Sequence, residues 1–351
     1  MIYPKFLSEH AIIGICAPSA GVGHKIESFE DSLKVLRAQG WKIWETEHVR
    51  VDDLRGGEAR QRAEELMSLF SLDAVDAVFS AAGGDFLSEI LPYIDWQLLA
   101  EHPKWLMGAS DPTGILYPMT TICDVATLYG SNGGSFDATV PCEAPGLSDS
   151  GQAVETLRGQ LPDYLRNMLR FLKGDLPVQE SGTMFLGSDI FRLEGGPMVF
   201  NQRTVYQSNR DQLNVKGRCI GGCIDVLKDL IGTRFDHTAG FIERYRHDGF
   251  IWYFDNFALS TAVLYRTLLQ LRYAGWITPE TTRAVLIGRT LFENVECDMT
   301  YPDAFRAAFP DIPVIWDMDI GHTVPHFSMI NGAMLDVAWN GTKARLCFEL
   351  N

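Results

Sequence analysis

Short apolar runs alternate with amphipathic stretches through the first half of the chain. Ala11–Cys16 is a nearly unbroken apolar run that ends in Ala17-Pro18-Ser19-Ala20-Gly21, the pattern of a buried strand entering a turn. Phe29–Gln39 then carries apolar residues at a spacing near 3.6 and stops before Gly40, the pattern of a helix. Further strands are predicted at Trp41–Trp44, Ala74–Ser80 and Trp105–Ala109, and a charged helix at Gly57–Phe70. Strands alternating with helices predict a parallel sheet covered on both faces. In such sheets the loops leaving the carboxyl ends of the strands build the functional site.

The texture changes after an amphipathic helix at Leu157–Lys173. Gly174-Asp175-Leu176-Pro177 follows, then a Gly-rich, β-like stretch from Ser181 to Val215. We therefore expect an α/β protein of two domains. Residues 1–175 form a parallel-sheet domain with flanking helices, and 176–351 a smaller β-rich domain. The second carries helices at Cys223–Ile231 and Ser260–Ala274, strands at Gly249–Phe254 and Ala284–Gly288, and closing strands around Pro313–Trp316 and Ala333–Cys347.

Two loops of the first domain carry candidate chemistry. The third strand runs into Gly83-Gly84-Asp85 and a helix ending near LPYID; the fourth runs into Ser110-Asp111-Pro112-Thr113 and another helix. A serine at a strand-to-helix turn is accounted for by capping alone, so spacing leaves Ser110 either a cap or a nucleophile. No glycine fingerprint for nucleotide phosphates follows any predicted strand, and the scattered pairs Gly83-Gly84, Gly133-Gly134, Gly195-Gly196 and Gly221-Gly222 read as turns. His10, His24, His48, His102, His237 and His247 fall in stretches that read as surface.

Charge narrows the partners. Lys and Arg total 30 against 45 Asp and Glu, a formal charge of −15, and such a field repels polymeric nucleic acid and anionic membranes. A small nucleotide in a local pocket stays compatible with it. The seven cysteines, Cys16, Cys123, Cys142, Cys219, Cys223, Cys297 and Cys347, are odd in number and lie mostly in apolar runs, as reduced core thiols do. Cys219 and Cys223 have no histidine pair nearby, and no H-E-x-x-H string occurs, so neither metal nor cofactor is expected. The apolar N-terminal stretch is too short to span a bilayer and lacks a basic start, from which a cytoplasmic location is expected.

Five strings in order, IGICAPSAG, AAGGDFLSEILPYIDW, HPKWLMGASDPTGIL, GRCIGGCIDVLKDLIGT and DIGHTVPH, resemble the LD-carboxypeptidase family of serine peptidases, nearest its microcin C immunity branch. The resemblance runs nearly end to end. It implies that Ser110 is the nucleophile and that His322, which follows Gly321, is its base; His326 lies outside the Gly-His string. The family's acid is a glutamate in a Leu-Glu-Asp string, where this chain reads Phe254-Asp255-Asn256, so the implied acid is Asp255. Serine then attacks a carbonyl as the imidazole takes its proton, and a carboxylate fixes the imidazole tautomer. The backbone N–H groups of Gly84 and Asp111 are candidate oxyanion donors, and Gly83 and Asp85 candidate substrate contacts.

Aspartate is one methylene shorter than glutamate, about 1.5 Å. Three outcomes stay open: a compacted site, a bridging water, or a broken triad that leaves a ligand-binding homologue. The family's carboxypeptidases commonly carry arginine where Ala82 stands, and PYIDW is nearer the immunity branch. The implied substrate is accordingly a peptidyl- or aminoacyl-nucleotide cleaved at an amide or acyl bond, with removal of terminal D-alanine from a murein tetrapeptide as the alternative. A homodimer is also implied.

Overall fold

The strands with least polar surface, Ile12–Cys16, Ala77–Ser80 and Trp105–Gly108, lie inside a six-stranded sheet. The computed structural model describes residues 1–53, 55–137, 161–186, 202–292 and 294–350. The order across this sheet is Met329–Asn331, Thr127–Tyr129, Trp105–Gly108, Ala77–Ser80, Ile12–Cys16 and Lys42–Glu45. Every pairing is parallel except that of Met329–Asn331, which runs antiparallel to Thr127–Tyr129. Lys42–Glu45 alternates exposed and half-buried residues, as the polar edge of a sheet does. The helix Ile26–Arg37 buries Phe29, Leu33 and Leu36 on one face, and Ala59–Ser71 buries Ala63, Leu66, Leu69 and Phe70.

A helix expected after Gly84 is instead two short 3-10 turns, Leu87–Glu89 and Leu91–Tyr93. Pro92 explains the break, because it lacks the N–H that a continuous helix would donate to the preceding turn. The helix expected at Leu157–Lys173 spans Asp163–Leu172; residues 157–160 lie outside the described residues, as do Cys142, Gly195-Gly196 and residues 187–201 of the β-like stretch.

The second, eight-stranded sheet has the order Gln179–Glu180, Ala344–Glu349, Met334–Trp339, Leu213–Cys223, Phe250–Asp255, Thr282–Gly288, Val314–Met318 and Gln207–Ser208. From Leu213–Cys223 to Val314–Met318 the pairings are parallel, and outside them antiparallel. Mixed α/β architecture with a parallel-rich first sheet and a separate second sheet is thus the fold. Among the described residues no helix is long and apolar enough to cross a membrane.

The two sheets are locked together around the helix Thr113–Cys123, which is buried on nearly every side. The Tyr117 ring stacks on Trp276 at 5.1 Å, and its hydroxyl meets Thr238 Oγ1 at 2.7 Å. Burying each such ring contributes on the order of 2–3 kcal/mol. Gly222 is required here: a Cβ on it would lie 2.4 Å from Thr113 Cγ2. The chain then crosses back, since Val314–Met318 belongs to the second sheet and Met329–Asn331 to the first. The segment between them carries His322 and is tethered to both.

Candidate active site

Ser110 lies just past the strand Trp105–Gly108, with φ 68°. A left-handed backbone is uncommon for a residue with a Cβ and must be held in place. The helix begins at Thr113, Pro112 occupies its N-cap, and no side chain caps it, so the capping role that spacing allowed is not taken. Residues 129–132 supply the hold. Tyr129 Oη accepts the Ser110 N–H at 3.1 Å, Asn132 Oδ1 accepts the Ala109 N–H at 3.0 Å, and the Gly130 N–H donates to the Gly108 carbonyl at 3.1 Å. Ser110 Oγ is left facing His322 Nε2 at 3.0 Å.

Asp255 ends the strand Phe250–Asp255 and is fully buried. Its Oδ2 lies 2.8 Å from His322 Nδ1, approached at an angle rather than along the ring N–H, so the contact becomes an ion pair when the imidazole takes a proton. The same oxygen accepts the Tyr129 hydroxyl at 2.5 Å, and Oδ1 accepts the His322 backbone N–H at 3.3 Å. Gly321, at φ 94°, makes this approach possible: a Cβ there would lie 1.9 Å from Asp255 Oδ1. The shorter acid therefore meets the imidazole directly, because the His322 loop closes onto it at a glycine. Asn256 turns away, donating to the Leu259 carbonyl and Thr290 Oγ1 at 3.4 and 3.3 Å.

Burial pushes the His322 pKa down, but the adjacent Asp255 carboxylate pushes it up by more, and the net value lies above the ordinary 6.5. The Phe257 ring covers the imidazole at 4.5 Å. His326 has a different environment. Its Nε2 lies 3.2 Å from Ser131 Oγ, the Tyr164 ring packs on it at 4.7 Å, and burial lowers its pKa to about 4.

The Gly83-Gly84 loop passes against the serine. A Cβ on Gly83 would lie 3.2 Å from Ser110 Cβ, and one on Gly84, at φ 157°, 2.6 Å from Ser19 Oγ. Neither the Gly84 nor the Asp111 N–H, both outside helix and strand, donates to a backbone carbonyl among the described residues. The Asp111 side chain is occupied structurally, accepting the Ser19 hydroxyl and, at 2.9 Å, the Leu87 N–H; burial pushes its carboxyl above the usual range. Beneath it the buried Arg62 donates to the Pro18 carbonyl at 2.8 Å and to Glu89 at 2.7 Å. Asp85 is exposed on the same loop. Among the described residues Glu47, His48 and Glu65 bring metal-ligand atoms within 4.8 Å of one another, on elements that do not carry the Ser110 cluster.

Tyr129 and Asn132 are the residues that reading the sequence passed over, and Gly321 entered it only as the marker of His322, not as the point where the loop closes on Asp255. The string VATLYGSN, β-prone residues closed by Gly-Ser-Asn, holds the signal for the first two, but its strand spans only Thr127–Tyr129.

Residues 13–130 match the model for the LD-carboxypeptidase N-terminal domain, and residues 216–337 that for the LD-carboxypeptidase C-terminal domain. A Streptomyces coelicolor protein that carries a carboxypeptidase name is 30% identical over 336 residues, 92% of this chain and 88% of that protein. Among solved structures, MccF in complex with glutamyl sulfamoyl guanosine superposes with a TM-score of 0.78 at 17% identity, over 99% of this chain and 98% of that one. The muramoyltetrapeptide carboxypeptidase of Oxalobacter formigenes does so with a TM-score of 0.71 at 16% identity, over 97% and 99%. At such identities the two structures speak to fold.

Proposed function

The chain belongs to the LD-carboxypeptidase family and is a serine peptidase or hydrolase; from that premise we propose that Ser110, His322 and Asp255 form its triad and that it cleaves a small peptidyl- or aminoacyl-nucleotide. The observation that carries this reading is the continuous line from Ser110 Oγ to His322 Nε2 at 3.0 Å and from His322 Nδ1 to Asp255 Oδ2 at 2.8 Å.

The steps follow from those contacts. Ser110 Oγ attacks the substrate carbonyl carbon while His322 Nε2 takes its proton, and Asp255 supports the imidazolium that forms. The carbonyl oxygen becomes an oxyanion, and the N–H groups of Gly84 and Asp111 are the donors proposed to receive it. Collapse breaks the bond to the leaving group, which takes the proton from His322. Water, deprotonated by His322, then attacks the acyl-serine and releases the acid and free Ser110. Gly83, which packs against Ser110, and the exposed Asp85 on the same loop are the proposed substrate contacts. No step in this sequence calls on a metal.

The nucleotide-like leaving group is supported by the sequence features nearest the immunity branch, Ala82 before the glycine pair and PYIDW after it, and by the MccF complex, in which that protein holds glutamyl sulfamoyl guanosine. A murein tetrapeptide is the second reading, favoured by the relative with a carboxypeptidase name. A cytoplasmic location and a homodimer complete the proposal.

A fluorophosphonate probe should label the protein at neutral pH, and Ser110→Ala should abolish labelling and turnover. No labelling of the unaltered protein would replace catalysis with ligand binding. Aminoacyl sulfamoyl-adenosines should be hydrolysed faster than murein tetrapeptides; the reverse order would assign the chain to the carboxypeptidase activity.

A further inference from the structure

Resting on the triad reading, we propose that Tyr129 is a positioning residue that couples the pose of the nucleophile to the charge of the acid. Its ring is buried in the strand Thr127–Tyr129 of the first sheet, and its hydroxyl stands between Ser110 and Asp255, which the second sheet supplies. The direction of both bonds is fixed by chemistry. The Ser110 N–H can only donate, and an ionised carboxylate can only accept, so the single phenolic proton points to Asp255 Oδ2. Burial and the neighbouring carboxylate both push the phenol's pKa well up, and it stays protonated.

Two consequences follow. Because its N–H is taken by Tyr129, Ser110 does not contribute it to an oxyanion hole, and its φ of 68° is held by a bond that ends on the acid. Because Oδ2 serves both Tyr129 and His322, the hydroxyl draws off part of the negative charge that faces the imidazole. The phenol thus sets the serine backbone on one side and the basicity of His322 on the other.

Tyr129→Phe removes the hydroxyl and keeps the ring that packs on Tyr253 at 5.7 Å. We expect kcat to fall about 10- to 100-fold with KM nearly unchanged. The acid limb of the kcat/KM profile should move up by about half a pH unit or more, since Asp255 then faces His322 undivided. Replacing Tyr129 with 3-fluorotyrosine preserves shape and strengthens donation, so the limb should move down. Opposite shifts in two near-isosteric variants are not what a merely structural residue produces. If the unaltered protein reacts with the fluorophosphonate while both variants keep its kcat and acid limb, the coupling is refuted and the triad stands. If the unaltered protein does not react, the triad reading fails and the coupling falls with it. Should Tyr129→Phe not fold, the 3-fluorotyrosine shift decides alone, and an unmoved limb overturns the proposal.

Discussion

The two halves of the site are built on different physics. On the serine side, residues 108–110 are held by uncharged hydrogen bonds to residues 129–132, and the result is a backbone geometry, φ 68° at Ser110. On the histidine side a buried carboxylate meets an imidazole at 2.8 Å, and the result is a displaced proton affinity. One half stores geometry and the other stores charge. Damage to the first, away from Tyr129, which bonds to both halves, should therefore lower the rate at every pH, whereas damage to the second should also move the pH at which the enzyme switches on.

The largest effect should come from Asp255→Asn. The amide cannot support the imidazolium and favours the wrong tautomer, so kcat should fall by about 10⁴. His322 must be neutral to accept the serine proton, and its raised pKa puts the acid limb of the native enzyme above 6.5. Without the Asp255 carboxylate burial is opposed only by the smaller pull of the Asp225 charge, and the acid limb of the residual activity should move down. Stability should run the other way. A histidine whose folded pKa is raised contributes most below its unfolded value of about 6.5, and that contribution is lost as pH rises through the folded value. Asp255→Glu should also impair turnover, because the Gly321 backbone already closes on the shorter acid. Faster turnover in Asp255→Glu, with Asp255→Asn unchanged, would mark the site as a relic.

Gly321→Ala tests whether the two halves can be separated. Its Cβ would collide with Asp255 Oδ1, and φ 94° disfavours any side chain. Either Asp255 or the His322 loop must move, so kcat should fall on the order of 100-fold, with the acid limb drawn back from its raised position. Full activity at an unmoved limb would show that the close approach is dispensable.

The serine half was legible because it is local. A strand, a turn and a helix within a short span of sequence make Ser110 a candidate, though spacing alone could not separate nucleophile from cap. The partners are remote: His322 is 212 residues from Ser110 and 67 from Asp255. They could be named only through the family resemblance. What brings them together is the return of Met329–Asn331 to the first sheet, and a three-residue edge strand is too short to leave a period in the sequence. Tyr129 escaped for the same reason. Its strand, Thr127–Tyr129, is equally short, and its hydroxyl matters only once both sheets are in place. The larger layers were readable because long apolar strands and amphipathic helices carry their periodicity with them.

The smallest effect on catalysis should come from His326, which sharpens the contrast within a single loop. It lies four residues after His322, yet the two titrate in opposite directions: Asp255 raises one, and burial lowers the other to about 4. His326 Nε2 faces Ser131 and its ring lies under Tyr164, whereas the Ser110 hydroxyl faces His322. A histidine depressed in the folded state binds its proton more readily when unfolded. The stability it contributes is therefore present above about pH 6.5 and is lost as pH falls towards 4. The loss is on the order of 3 kcal/mol if the whole shift is expressed. His326→Gln keeps an amide within reach of Ser131 and removes the titration. Urea unfolding of the two proteins between pH 7 and 4.5 should give a shallower acid decline for the variant, with kcat at pH 8 within about twofold of the native enzyme. Parallel declines would mean that His326 is protonated in the folded protein and that Ser131 and Tyr164 accommodate the charge. A collapse of kcat at pH 8 would instead transfer the role of base from His322 to His326.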